Sequence, residues 1–186
     1  MAPTPSRETF VALLRGINLG GKNKLPMKEL VAIFERVGCE RVKHYIQSGN
    51  VVFGASAPLA RRVPAVVAAE IERGFGLHVP VVVRSAAEMR AVAQGNPLLA
   101  AGASHDVLHV VFLADAPTAK QRATLDPARS PPDTFVVEGR EVYLSCPDGF
   151  GRTKLTNAYF DSKLGTTSTI RNWRTVLTLV EMSQDS

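Results

Sequence analysis

The sequence predicts an α+β protein made of two successive halves. Three observations carry that expectation: the order of apolar segments in the first half, a partial repeat of it in the second, and strands with almost no polar alternation. Thr9–Leu14 (TFVALL) is a β run ending at Arg15-Gly16. A glycine-bearing loop follows, and Pro26 opens a helical pattern; its missing N–H would have no partner in the first turn anyway. Leu30, Ile33, Phe34 and Val37 fall at i, i+3, i+4 and i+7, with Gly38 where a C-cap belongs. Val42–Ile46 and Val51–Phe53 are short strands joined through Gln47-Ser48-Gly49-Asn50. A second helix is expected over Arg61–Phe75, interrupted or delayed by Pro64, with Val67, Ile71 and Phe75 on one face. Val79–Arg84 is a further strand. The order β-α-β-β-α-β is the split-βαβ, or ferredoxin-like, pattern.

In the second half, a short helix around Ala86–Gln94 stops at Gly95-Asn96-Pro97. Val107–Leu113 is a strand, Thr118–Leu125 a short helix, and Thr134–Val137 with Glu141–Cys146 a hairpin across Glu138-Gly139-Arg140. Two helices are expected to close the chain, near Thr153–Leu164 and near Ile170–Met182, the latter with Ile170, Trp173, Leu177 and Val180 at core spacing. This half therefore has a βαββα-type order plus a final helix. A sheet with one wet face alternates apolar and polar residues, whereas FVALL, PVVV and VLHVVFLA run nearly continuous. Both sheet faces are thus expected to be covered. The expected organisation is a ferredoxin-like subdomain at 1–86 and a second α+β subdomain at 87–186, packed as one compact body.

Composition narrows the class. The 186 residues are 45% apolar and 21% charged, too apolar for a disordered chain, and no apolar stretch approaches a membrane span. MAPTPSRETF shows no apolar segment after its charge, so no secretory signal is expected. Cys39 and Cys146 stand far apart without a CxxC, which argues against a disulfide scaffold or cysteine-rich zinc site and for a cytoplasmic protein with reduced thiols. The net charge of +5 is uneven. Residues 15–50 hold seven bases against three acids, 152–174 hold five against one, and 51–145 are balanced. Two basic segments can form one anion-binding surface if the fold brings them together; otherwise they are two solvated faces.

Three polar segments could carry chemistry. Arg15 to Lys24, RGINLGGKNK, makes an unusually long βα connection whose glycines allow positive φ and close backbone approach to a ligand. It delivers Lys22 and Lys24 to a helix N-terminus, where anions are favoured. It matches neither the dinucleotide nor the P-loop glycine pattern. Gln47, Ser48 and Asn50 on the hairpin offer amide and hydroxyl groups that orient a polar ligand, or simply make a turn. CPDGFGRTKLTN sets glycines before another helix, with Thr153 as expected N-cap and Lys154 opposing the dipole unless an anion is present. The candidate ligand-binding residues are Arg15, Asn18, Gly20, Gly21, Lys22, Lys24, Gln47, Ser48, Asn50, Arg152, Lys154 and Asn157. Catalytic constellations are thin: His105 and His109 are about 13 Å apart along a strand and cannot share a metal. No paired acids or nucleophile signature stand out, and neither a metal nor a cofactor is implied.

LLRGINLGGKNKLPMKEL, HYIQSGNVVF, CPDGFGRTKLTN and TIRNWRTVLTL resemble, in order and spacing, a bacterial family catalogued as domain of unknown function number 1697. The similarity runs from about Thr9 to Met182. It implies a two-part α+β protein and assigns no activity. The physical reading places first a cleft for a phosphorylated or otherwise anionic small molecule. A phosphoryl-transfer or hydrolytic enzyme using the same cleft comes second, and an RNA-backbone-binding protein third. No membrane partner is expected, and oligomeric state is left open.

Overall fold

In the computed structural model, which describes residues 7–184, the chain folds into two four-stranded antiparallel sheets and their helices. Most of the stretch read as lacking a secretory signal lies outside the described residues. The chain divides into two compact units, Met1–Arg90 with Leu179–Ser186, and Ala91–Thr178.

The first unit runs β1 (Arg7–Leu14), α1 (Met27–Arg36), β2 (Glu40–Tyr45), β3 (Asn50–Ser56), α2 (Ala57–Phe75) and β4 (Val81–Ser85), followed by the start of α3 (Ala86–Gln94). Its strand order is β2-β3-β1-β4, with β1 central and antiparallel to both neighbours, as the split βαβ arrangement requires. Helix α1 ends as its sequence leads one to expect. Gly38 takes φ +98°, its N–H reaches the Glu35 carbonyl and that of Cys39 reaches Phe34, a Schellman closure. Helix α2 begins earlier than the sequence reading placed it. Ser56 caps it by accepting the Leu59 N–H, Pro58 fits the first turn, where its missing N–H would have no partner within the helix, and the helix continues through Pro64. On one face of the sheet Ala12, Leu14, Val51 and Phe53 pack with Leu30, Phe34, Val63, Val67 and Ile71 of the two helices. On the other face Val11, Leu13, Val52 and Val82 are also buried, which accounts for the missing alternation.

The second unit takes in the rest of α3 and then α4 (Pro97–Ala100), β5 (Leu108–Leu113), α5 (Ala119–Arg122), β6 (Thr134–Glu138), β7 (Glu141–Ser145), α6 (Asn157–Leu164) and β8 (Ser168–Asn172). The start of α7 (Trp173–Gln184) completes it. Its order, β6-β7-β5-β8, repeats that of the first sheet. The sequence reading does not contain β8 and starts the last helix inside it, near Ile170. Ser168–Asn172 is instead zipped antiparallel to β5, from Leu113↔Ser168 to His109↔Asn172. The buried stripe of α7 is accordingly Trp173, Val176 and Leu179, while Leu177 and Val180 are only half-buried.

A second correction concerns α6, which is capped by Thr156 and not Thr153. The Thr156 hydroxyl accepts the Tyr159 N–H, and Leu155 just before the cap joins Phe160 in the same core cluster, a hydrophobic staple. The Thr153 hydroxyl accepts the Leu155 N–H instead, so Lys154 stands outside the helix and opposes no dipole.

The halves match in detail. Each is βαββαβ with a helix launched directly from the last strand. Ser85 and Glu88 form a capping box at the start of α3, and the Asn172 carboxamide accepts the Thr175 N–H at the start of α7. Each last strand also carries an arginine opposite the middle of the central strand, Arg84 facing Val11 and Arg171 facing Val110. Both guanidiniums hydrogen-bond the preceding carbonyl, of Val83 and Ile170. Burial pulls the Arg171 pKa down to about 10.

Phe53 is fully buried between Phe10 and Phe34, at ring-centroid distances of 5.8 and 5.3 Å. Phe53→Ala is expected to cost about 3–5 kcal/mol, read as a lower urea midpoint for the first unit.

Candidate functional site

The long loop after β1 is a folded object. Gly20 and Gly21, at φ +55° and +77°, form a mirror-image turn that brings Leu19 against Lys22, whose N–H donates to the Leu19 carbonyl at 2.9 Å. The glycines therefore serve a miniature hairpin first. Below the tip, the Asn18 N–H donates to the Asn23 carbonyl, and the Asn23 carboxamide donates to the Gly16 carbonyl at 2.8 Å. Asn18 and Asn23 themselves hold φ +54° and +50°, a region that asparagine tolerates better than other side-chain-bearing residues.

The Asn18 carboxamide joins this loop to the β2–β3 hairpin. Its Oδ1 accepts the Leu25 N–H at 2.8 Å, and its Nδ2 donates to the carbonyls of Leu25 at 2.9 Å and Gln47 at 3.0 Å. A second tie runs from the Leu14 N–H to the Gly49 carbonyl at 2.8 Å. Within the hairpin, the buried Asn50 carboxamide donates to the Ser48 hydroxyl and, over 3.4 Å, to the Tyr45 carbonyl. Gly49 is required, since a Cβ there would lie 2.7 Å from that of Leu14 with φ at +78°.

The two segments enclose an open cleft of about 560 Å³ lined by Asn18, Gly21, Lys24, Leu25, Pro26, Met27, Lys28, His44 and Gln47. Its wall is apolar along Leu25–Met27 and cationic at Lys24 and Lys28, and no carboxylate belongs to the lining. Helix α1 starts in this wall. Pro26 is its N-cap and supplies no side-chain cap, so the first-turn N–H groups of Met27 and Lys28 are not satisfied from within the helix. Lys28 sits in that first turn against the macrodipole, the arrangement the sequence reading had looked for at Lys154. Leu19 and Ile46 stand exposed on the two loops.

Of the sequence-predicted residues, Asn18, Gly21, Lys24 and Gln47 line this cleft. Arg15, Gly20 and Lys22 belong to the same loop, and Ser48 and Asn50 to the same hairpin, without lining it. Arg152, Lys154 and Asn157 lie in the second unit. There Arg152 ends a single 3₁₀ turn, Lys154 is exposed with its N–H on the Ser130 hydroxyl, and the Asn157 carboxamide accepts the Ser168 hydroxyl at 3.0 Å. Five lining residues are not among the candidates: the apolar Leu25, Pro26 and Met27, and the ionisable Lys28 and His44. Lys28 was counted only as net charge, although its place two residues after a helix-opening proline marks it as a first-turn cation. His44 had no visible partner, because its neighbours in the cleft come from the loop and α1.

Elsewhere the ionisable groups read as structural. Cys39 and Cys146 are free and buried, and burial pushes each thiol up to about 11. His109 is buried beneath Phe150, ring centroids 4.4 Å apart, and burial lowers its pKa. Among the described residues no three His, Cys, Asp or Glu side chains are placed to hold a metal ion.

This geometry defines an α+β protein of two ferredoxin-like units with a lysine-lined cleft on the first. The chain belongs to the family described as "Protein of unknown function (DUF1697)", whose model matches residues 7–143. CPDGFGRTKLTN and TIRNWRTVLTL lie beyond that match. The conserved bacterial protein SP0830 from Streptococcus pneumoniae has a similar structure, with a TM-score of 0.71 at 20% identity, covering 96% of this chain and 99% of that one. At that identity the likeness speaks to the fold. No curated protein matches the chain.

Four measurements follow from these contacts. Gly49→Ala forces a Cβ into Leu14 from a left-handed backbone and is expected to destabilise by about 2–4 kcal/mol. Ile46→Asn relieves an exposed β-branched residue at φ +48° and is expected to raise the thermal midpoint. The thiols, protonated in the fold to about pH 11, should react with an aromatic disulfide reagent at pH 8 only after denaturation. Their raised folded pKa contributes stability that is complete below the unfolded thiol pKa. It is lost as pH climbs from about 9 to about 11, which a pH series of urea unfolding reads directly.

Proposed function

We propose that this protein binds a small anionic ligand, with a phosphorylated molecule as the leading class, in the cleft between the glycine hairpin loop, the start of α1 and the β2–β3 hairpin. The observation that carries the reading is the lining itself, in which two lysines and an uncapped helix start share a concave wall with no carboxylate. Lys24 and Lys28 neutralise the charge. Gln47 and the loop backbone orient the ligand, and Leu25–Met27 take its apolar part. Asn18 acts by position, with its carboxamide already engaged in holding the walls together. Phosphoryl transfer or hydrolysis in the same cleft remains the second use of this site.

Base stacking of RNA on the sheet, as in an RRM, is disfavoured by a specific observation. The β1 and β3 residues on the face such domains use are the aliphatic Val11, Leu13 and Val52, all fully buried.

Calorimetric titration of the full chain with inorganic phosphate, sulfate and nucleoside monophosphates tests the proposal. At a ligand concentration 100-fold above Kd, binding adds about 2.7 kcal/mol to stability. Lys24→Ala and Lys28→Ala should each weaken binding about tenfold, the equivalent of one charge-assisted contact. Silence across the panel, or binding indifferent to both substitutions, removes the cleft from consideration.

A further inference from the structure

Four large hydrophobic side chains stand exposed among the described residues, Leu19, Ile46, Phe75 and Phe150, and two of them belong to the loops that wall the cleft. Leu19 is 60% exposed at the foot of the Gly20-Gly21 turn, and Ile46 is 51% exposed where β2 turns towards β3. Neither lines the hollow. Each is flanked along the chain by residues that do, Asn18 and Gly21 for the first, His44 and Gln47 for the second. That sets one apolar side chain at the rim of each wall.

Ile46 is the more telling of the two. It holds φ +48°, where a β-branched side chain is strained and glycine or asparagine would be comfortable. The positive-φ residues of the facing loop, Asn18 and Asn23, are of that tolerant type. The conformation is imposed from both sides of Ile46. The Asn50 carboxamide donates to the Tyr45 carbonyl over 3.4 Å, and that of Asn18 donates to the Gln47 carbonyl at 3.0 Å. A side chain half in water returns little burial for its strain, so it answers to contact from outside the chain.

The hollow limits what that contact is. At about 560 Å³ it falls within the range of roughly 300–1,000 Å³ that encloses drug-sized molecules, far more than a bare phosphate ion fills. Lys24, Lys28 and the start of α1 can neutralise one anionic group, with Leu25, Pro26 and Met27 as an apolar wall beside them. No carboxylate belongs to the lining, so a cationic group would find no partner there. We infer that the ligand is a phosphate monoester of an uncharged apolar or aromatic alcohol, its organic part clasped between the Leu25–Met27 wall and the rim residues Leu19 and Ile46. The inference rests on the anion-binding reading of the same cleft and adds the class of molecule and two specificity-determining residues.

Calorimetric titration of the full chain at about pH 8, where phosphate and its monoesters are doubly charged, compares inorganic phosphate, glycerol 3-phosphate and phenyl phosphate. Phenyl phosphate should bind about tenfold tighter than the other two, the effect of taking roughly 55 Å² of apolar surface out of water. Its binding should also carry the more negative heat-capacity change. Leu19→Ser and Ile46→Asn should each take about threefold off that preference, about half of it in free energy, and leave the inorganic phosphate Kd unchanged. Ile46→Leu should keep the preference. Because Ile46→Asn is expected to stabilise the free chain, its loss of affinity cannot come from unfolding. Equal affinity for the three probes, a glycerol 3-phosphate Kd matching that of phenyl phosphate, or a preference unchanged by either substitution overturns the apolar clasp and leaves the anion site standing. No binding of any of the three overturns the anion site and the clasp together.

Discussion

The Asn18 carboxamide is the contact on which the cleft depends. One short side chain, held at a positive φ, closes the neck of the glycine loop through both backbone groups of Leu25 and reaches the hairpin at the Gln47 carbonyl. These hydrogen bonds replace what a regular strand or helix would supply to a ten-residue excursion, whose backbone groups must otherwise be met by water. The loop tip is free to carry charge because its base is fixed. The geometry also settles what the glycines are for, since Gly20 and Gly21 make the turn and Gly49 makes room for Leu14.

Much of the architecture was legible because period and punctuation agreed. The continuous apolar runs of β1 and β5 announced sheets covered on both faces, and Val11, Leu13, Val110 and Phe112 are buried accordingly. What escaped was settled by tertiary pairing. Ser168–Asn172 runs without punctuation into the 3.6-period pattern of Trp173 onward, and its ladder with β5 is what sets it apart as a strand. Thr153 and Thr156 are equally good caps by residue type. The choice fell to Leu155 and Phe160, whose burial in one cluster is a long-range fact. At the site, Lys24, Asn18 and Gln47 could be read from polar residues beside turns. Lys28 and His44 required knowing that a helix start and a strand end face one hollow.

The two halves share topology, register and an arginine on the last strand, yet they differ where the cleft lies. The connection from β5 to α5 is only Ala114–Thr118, and its Asp115 carboxylate accepts the Thr166 hydroxyl at 3.1 Å while its N–H donates to the same oxygen. The counterpart after β1 is long, glycine-bearing and lysine-rich. The same topology thus tolerates a short connection in one unit and a long folded loop in the other without a change to its sheet.

Strand β2, which supplies His44, is an edge of its sheet, with a register shift against β3 between Glu40 and Lys43. Arg41 sits at φ +49° inside that shift, its guanidinium so close over Gly54 that a Cβ there would lie 2.7 Å away. An open strand edge invites a further strand from another molecule, and the runaway product of such invitations is a fibre. Here the irregular backbone and four ionisable side chains in succession or near it, Glu40, Arg41, Lys43 and His44, make that edge a poor template for polymerisation. The strand can therefore stay bare, and a dissolved molecule can reach the hollow beside it at high protein concentration.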